Sequence, residues 1–394
     1  MSSGKSRNSY KVDGERYISK VFPFPGAYGD SWNIVVALPE SDILGSVQQL
    51  FWLSLGIGLL ISLLSLGAIY FVARTISHQI ETLTGEMAHV SSFELDRIKG
   101  VESHIHEIQV MNDSLMKSVA TIRSFAKYVP VPLVRQLLQR GEEIRIGGKE
   151  AELTVLFSDI EGFTGIAEGM ESEQVMIHLS EYFDHLTHIV SEERGTVDKY
   201  IGDSLMAFWG RPQPMEDAPY RACKAALRCV AELELMNRQW VGQGKPVMKT
   251  RFGLHTGMAT VGNMGSRERM NYSAVGDNVN IASRLEGINR VYATQVVISA
   301  STYAEVKERF LCRPLDRVRV KGRVEPIQIY ELVAERGMID PQLETFYTGF
   351  EAAYEAWERG DCQAALETLD AIREIKRDDR PSEILREHCG SGSS

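Results

Sequence analysis

The chain has 394 residues, of which 44% are hydrophobic and 24% charged, and it carries a formal net charge of −10. That length supports two or three domains, and the acidic balance without a basic aromatic-rich stretch excludes nucleic-acid binding as the main task. Of the five cysteines none precedes Cys223 and no spacing suggests zinc, so we expect reduced, mostly buried thiols.

In chain order, Arg16 to Phe24 and Trp32 to Leu38 read as two strands around Pro25-Gly26 and Gly29-Asp30, a hairpin or small sheet within a short segment 1–46. From Leu50 to Ala73 no residue is charged, and a run of that length crosses a bilayer as a helix. Arg74 follows at once, whereas Asp30, Glu40 and Asp42 precede the run. The positive-inside bias therefore puts the C-terminal side in the cytoplasm. A cleaved signal peptide is disfavoured, because the apolar segment is too long and begins too late. We expect a single-pass protein of the inner (plasma) membrane, with the lipid bilayer as a partner.

After the membrane, Ile76, Ile80, Leu83, Met87 and Val90 alternate spacings of four and three, a coiled-coil seam. A connector from Ser91 to Gly100 follows, and Ile108, Met111, Leu115, Ile122 and Phe125 resume the seam with Ser118 as a polar lapse. Residues 125–149 read as a short linker that ends at Gly147-Gly148. Gly147-Gly148-Lys149 lacks the Walker spacing and is expected only to open a strand.

The next segment carries the chemistry. Phe157-Ser158-Asp159-Ile160-Glu161-Gly162-Phe163-Thr164 ends an apolar run, and Lys199-Tyr200-Ile201-Gly202-Asp203-Ser204 precedes another across a Gly-containing turn. Two strand-end carboxylates on adjacent strands can share divalent cations, which take oxygen ligands. Read singly, Asp159 could instead be a helix N-cap and Gly202-Asp203 a plain turn. Arg251 to Gly257 and Ala259 to Asn263 are expected as a strand pair, with His255 structural. A helix begins at Asp277, with Val279, Ala282 and Ile288 toward a core. Asn280 and Arg284 then share one helical face. An amide donor with a guanidinium suits a phosphoryl group gaining charge. Cys223 and Cys229 lie on an amphipathic helix around Arg221 to Leu235 and read as packing residues.

In the order and spacing of these motifs, residues 150–334 resemble the catalytic domain of class III nucleotidyl cyclases, specifically adenylyl cyclases. The resemblance implies an α/β (α+β, ferredoxin-like) fold, a homodimer, and two active sites built across the dimer interface. It implies attack of the ribose 3′-hydroxyl on the α-phosphorus of a nucleoside triphosphate. On matching positions it makes Asp159 and Asp203 metal ligands, with the carbonyl of Ile160, for two Mg²⁺ or Mn²⁺ ions per site. Asn280 would orient the ribose and Arg284 would stabilise the α-phosphate. Arg251 would hold the polyphosphate, Lys321 would bind phosphate, and Phe163 and Thr164 would bind the substrate. Lys321 stands in Arg319-Val320-Lys321-Gly322-Arg323, which also reads as a solvated basic hairpin.

Lys199 matches the adenine-reading lysine of the family, where guanylyl cyclases usually carry Glu. Ser273, in Asn271-Tyr272-Ser273-Ala274-Val275-Gly276-Asp277, matches a position that is Asp in many animal adenylyl cyclases and often Thr or Ser in a bacterial subgroup. Lys can donate to adenine N1 and a serine hydroxyl can accept from the exocyclic amine, so ATP is the expected substrate. The departure from Asp loosens the expected discrimination against GTP. The alternatives are a guanylyl or mixed-specificity cyclase and a catalytically inactive nucleotide-binding receptor. Lys199 speaks against the first. The presence of Asp159, Asp203, Asn280 and Arg284 speaks against the second.

The flanks carry weaker resemblances. Residues 74–124 resemble a HAMP signal-relay module, departing at Ser77-His78-Gln79, where that family commonly has a proline. The segment 1–46 resembles the membrane-proximal end of Cache-type sensors. It is far shorter than a full one, so it is either a longer sensor cut short or a degenerate one, and its stimulus is unknown. Residues 337–389 resemble a single tetratricopeptide-like hairpin. Phe346, Phe350, Tyr354 and Trp357 form an aromatic stripe on its first helix, and Ala365, Leu369 and Ile372 line the second. One such unit cannot bury its face alone, so packing on the catalytic domain or a partner is expected.

Overall fold

The computed structural model describes residues 7–23, 33–126, 134, 146–266, 268–319 and 325–391. The chain divides into two compact units, the first drawn from residues up to Val119 apart from 91–93, the second from the remainder.

In the first unit, β1 (Arg7–Val12), β2 (Glu15–Pro23) and β3 (Asn33–Pro39) form a three-stranded antiparallel sheet in that order. The sequence reading gives two strands. The third, β1, joins through a turn at Asp13-Gly14, both in left-handed conformation, where Gly is the permissive residue. Helix α1 (Glu40–Ser91) runs unbroken through the expected span and well beyond it. Its stretch from Val47 has a mean hydropathy of 2.3 in its most apolar window, none of it buried. It is long and apolar enough to cross a membrane.

A 3-10 turn at Leu95–Arg97 and helix α2 (His106–Ala126) follow. Leu83, Leu95, Ile98, Ile108, Leu115 and Val119 are buried. The connector between the helices is tied down by side chains: the Val101 N–H donates to Asn112 Oδ1 at 2.8 Å and Ser103 Oγ to Gln79 Oε1 at 2.6 Å. The heptad seam is only half used within one chain. Ile80, Met87, Met111 and Phe125 remain exposed.

The second unit is built on one mixed sheet. Its strands are β4 (Gly147–Ile160), β5 (Thr196–Ile201), β6 (Ser204–Trp209), β7 (Thr250–Gly265), β8 (Met270–Val275), β9 (Val296–Ser299), β10 (Phe310–Val318) and β11 (Ile327–Glu335). The order is β10-β11-β9-β7-β4-β6-β5, with β8 hairpinned onto the far half of β7, and every pairing is antiparallel except β7 with β9. Among the connections, α3 (Phe163–Glu168), α4 (Ser172–Glu192), α5 (Ala218–Gly242), α6 (Asp277–Tyr292) and α7 (Ala300–Val306) are helical.

Helices α4, α5 and α7 bury one face of the sheet, where Tyr182, Trp209, Trp240 and Phe252 are almost fully enclosed. Helix α6 covers the other face through Val279 and Ala282 on one side and Ile281 and Leu285 on the other. Aromatic side chains of this size dominate core energetics. Arg251 to Asn263, expected as two strands, are one continuous strand. Gly257 makes no turn there: a Cβ on it would sit 2.7 Å from the Asn278 side chain. Gly253 does the same for α6, since a Cβ there would meet the Glu286 nitrogen at 2.1 Å. Any side chain at Gly253 would lift α6, with Asn280 and Arg284, off the sheet.

The C-terminal tail is three helices, not a hairpin: α8 (Pro341–Glu358), α9 (Cys362–Ile372) and α10 (Arg380–Ser391). Asp340 and Asp361 cap the first two, each accepting from a backbone N–H, as short polar side chains do at N-caps. Arg313 of β10, 1% exposed, donates both guanidinium ends to Asp379 at 2.8 and 2.9 Å and also pairs with Glu331. Its guanidinium lies over the rings of Phe346, Tyr347 and Phe350. The aromatic stripe therefore packs on the catalytic sheet of its own chain, around a buried cation. None of the five cysteines forms a disulfide, and Cys223 and Cys229 are buried in α5.

Candidate active site

Asp159 stands at the C-terminal end of β4, and Asp203 at the two-residue turn joining β5 to β6. Gly202 has φ of 65°, a conformation hairpin turns need and Gly supplies cheaply. Pairing of β4 with β6 places Ser204 beside Asp159, and its hydroxyl donates to Asp159 Oδ1 at 2.9 Å. The Asp203 carboxyl is pushed above its ordinary value by burial and by the charge of Asp159, while backbone hydrogen bonds from Asp203 itself and Ile160 oppose the rise. A carboxyl raised by a neighbouring carboxylate is relieved by a cation beside it. With the neighbouring Ile160 carbonyl the two carboxylates form an all-oxygen donor set, the kind hard divalent cations prefer. Among the described residues no group of three or more His, Cys, Asp or Glu gathers as a metal site. A cation held by the two carboxylates would need a further oxygen, for which the Ile160 carbonyl is the expected donor.

Around this pair, Arg251 lies directly opposite Asp159 on β7 and reaches Glu161 at 3.5 Å. Thr164 is exposed in the first turn of α3, and Phe163 packs against the core beneath it. Glu286 of α6 has a buried oxygen without a hydrogen-bond partner. Burial pushes its carboxyl up to about 7, the charges of Asp159 and Asp203 adding and that of Arg251 opposing. Sequence reading missed Glu286. Its signal was its place two residues after Arg284, on the buried side of the same helix.

Lys199 and Ser273, expected from sequence to read the base, form a second cluster. Lys199 Nζ donates to Ser273 Oγ at 3.0 Å, and Ser273 Oγ donates to Asp198 Oδ2 at 2.6 Å. Burial raises the Asp198 carboxyl, while the Ser273 hydrogen bond and the Lys199 charge pull it back. Asp198 was also missed by the sequence reading. Asn280 and Arg284 are exposed on α6. His255 is structural as expected, its ring nitrogens bonded to Ser299 and Asn278 at 2.8 and 3.0 Å. Lys321 lies outside the described residues.

The second unit resembles known proteins. The model of the adenylate and guanylate cyclase catalytic domain matches residues 148–334. Adenylate cyclase 1 of Rhizobium meliloti (strain 1021) is 35% identical over 82% of this chain and 49% of its own length. The chain spans about half the length of the curated relatives it matches. The crystal structure of the adenylyl cyclase CyaB from P. aeruginosa is 35% identical, covering 50% of this chain and all of that one, with a TM-score of 0.46. A bacterial light-regulated adenylyl cyclase is 27% identical over 60% of this chain and 68% of its own, with a TM-score of 0.52. Through residues 148–334 this chain belongs to the adenylate and guanylate cyclase catalytic domain family.

Proposed function

We propose that the chain is a membrane-anchored adenylyl cyclase that converts ATP to 3′,5′-cyclic AMP and pyrophosphate as a homodimer. The observation that carries this reading is that one domain folds both a paired-carboxylate cluster and a Lys199–Ser273 pair suited to adenine. Lys199 donates to adenine N1 and Ser273 accepts from the exocyclic amine. Two Mg²⁺ or Mn²⁺ ions, when bound by Asp159, Asp203 and the Ile160 carbonyl, neutralise triphosphate charge and acidify the 3′-hydroxyl.

Asn280 orients the ribose for in-line attack. Arg284 stabilises the charge that grows on the α-phosphate as the new 3′-O–P bond forms and the bond to pyrophosphate breaks. Arg251 and Lys321 serve the phosphates, and Phe163 and Thr164 contribute to substrate binding. Both Asn280 and Arg284 are exposed on their own chain, which suits service to the carboxylate cluster of a partner copy. Twofold pairing then gives two equivalent sites. The exposed half-seam of Ile80, Met87, Met111 and Phe125 fits the same dimer. In this reading residues 74–124 act as a HAMP relay and the catalytic domain is cytoplasmic.

The test is purified full chain with Mg²⁺ or Mn²⁺ and either ATP or GTP. Cyclic AMP as the main product supports the proposal. Cyclic GMP as the main product favours a guanylyl cyclase, and neither product favours an inactive nucleotide-binding receptor.

A further inference from the structure

Strand alternation alone would send Asp198 and Lys199 to opposite faces of β5. The strand does not alternate there. Val197 opposes Ala207 of β6 and Lys199 opposes the next residue along, Met206, so Asp198 is the extra residue of a β-bulge. Bulges re-aim side chains in this way. Both side chains consequently converge on Ser273, although β7, β4 and β6 separate β8 from β5 in the sheet order.

The convergence is closely bonded. Ser273 Oγ donates to Asp198 Oδ2 at 2.6 Å, and the Ala274 N–H approaches the same oxygen at 3.4 Å. Lys199 Nζ donates to Ser273 Oγ at 3.0 Å and lies 3.5 Å from Asp198 Oδ1. The Asp198 side chain is fully buried, and Oδ1 has no hydrogen bond of its own. Lys199 keeps 40% of its side chain exposed.

A hydroxyl has one proton and two lone pairs, an ammonium only donates, and a carboxylate only accepts. Lys199 occupies one Ser273 lone pair and Asp198 takes the proton. What Ser273 can still offer a ligand is its second lone pair. We propose that Asp198 is a specificity-determining positioning residue, which fixes the Ser273 hydroxyl as an acceptor and so selects adenine over guanine. Adenine presents an amine donor at its exocyclic position, whereas guanine presents the O6 acceptor there. With Asp198 in place, O6 meets a lone pair. The guanine N1–H likewise meets the Lys199 ammonium. This deepens the adenylyl cyclase reading and rests on it.

Asp198→Asn keeps the shape of the side chain but supplies amide protons. The carboxamide can then donate to Ser273, which frees the hydroxyl proton for guanine O6. We expect the ATP-to-GTP ratio of kcat/KM to fall by about tenfold or more, the scale a directed polar contact contributes to discrimination. The change should lie mainly in KM. Dissociation constants for 3′-deoxy-ATP and 3′-deoxy-GTP, measured by calorimetry without turnover, should move with it. In a Ser273→Ala background Asp198→Asn should no longer alter the ratio, because the group it acts through is gone.

Equal loss of activity on both nucleotides with an unchanged ratio would show that Asp198 only supports the fold, and would overturn the inference. If Asp198→Asn is too unstable to assay, Ser273→Ala removes the same directed lone pair and must relax the ratio; an unrelaxed ratio overturns the inference as well. Wild-type protein that does not prefer ATP would instead defeat the adenylyl cyclase reading itself, so the two failures are told apart.

Discussion

The two polar clusters of the catalytic domain handle buried charge in opposite ways. Around β4 and the β5–β6 turn, Asp159, Asp203 and Glu286 gather carboxylates, and Asp203 and Glu286 are both raised, by burial first and by neighbouring carboxylates second. Around Ser273, Lys199 and Asp198 neutralise one another and lock a hydroxyl between them. In the proposed reading the first cluster gains stability from a cation, and the second is wired in advance for a neutral nucleobase. Preorganised donors and acceptors cost no rearrangement when the ligand arrives, whereas crowded carboxylates lose stability until the ion binds.

Breaking the first cluster should have the largest effect. Asp203→Ala is expected to reduce cyclic AMP formation by a homodimer below detection. Mixing it with Arg284→Ala protein should restore part of the activity, because one composite site is then intact. No recovery in heterodimers shown to form by pull-down would sink the shared-site arrangement. Arg284→Ala alone should cost about 100- to 1,000-fold in kcat, the usual loss for one transition-state donor, with a smaller change in KM. Steady-state kinetics separates the two parameters.

A stability contrast comes next in size. Arg313→Met strips Glu331 of its cation and leaves Asp379 with Lys376 and Ser382 alone, and removing one partner of a buried pair costs about 3–5 kcal/mol. Urea unfolding of the catalytic unit should show that loss. The Asp379 carboxyl is held well below its ordinary value of 3.8, its hydrogen bond from Arg313 and the Arg313 charge overcoming the burial that raises it. Its contribution is therefore present above pH 3.8 and is lost as the pH falls further, and Arg313→Met should flatten that acid limb.

The smallest effect sharpens the carboxylate cluster. Glu286 binds its proton more tightly in the folded chain, about 7 against an ordinary 4.5. The folded state therefore holds more protons over that window, and stability falls as the pH rises through it. Without divalent ions, the melting temperature of wild type should drop between pH 5 and pH 8 relative to Glu286→Gln. Parallel curves for the two proteins would refute this role for burial at Glu286.

Much of the site was legible because its residues lie within short, local motifs. Asp159 ends an apolar run, Gly202-Asp203 carries its own turn, and Asn280 and Arg284 share a helical face by spacing alone. Asp198 and Glu286 were not legible in this way. Alternation assigns Asp198 to the face opposite Lys199, and only the bulge at Val197–Lys199 overrides that assignment. Glu286 draws its role from contact of α6 with Gly253, a pairing between positions far apart in the chain. For the same reason one long strand replaced the expected pair at Gly257, whose missing side chain serves the close approach of Asn278 rather than a turn.

The amino-acid order by itself determined which segments are strands, helices and an apolar span, since hydrophobic period and turn chemistry act over a few residues. It also determined the inventory of carboxylates, amide and guanidinium. Only the tertiary structure decided that the tail closes over Arg313 and that Ser273 of β8 meets Asp198 and Lys199 of β5. The same holds for the one hydroxyl proton at Ser273, which points to Asp198. These depend on strand register and on which distant groups share a buried site, where an unpaired charge or hydrogen bond is too costly to leave.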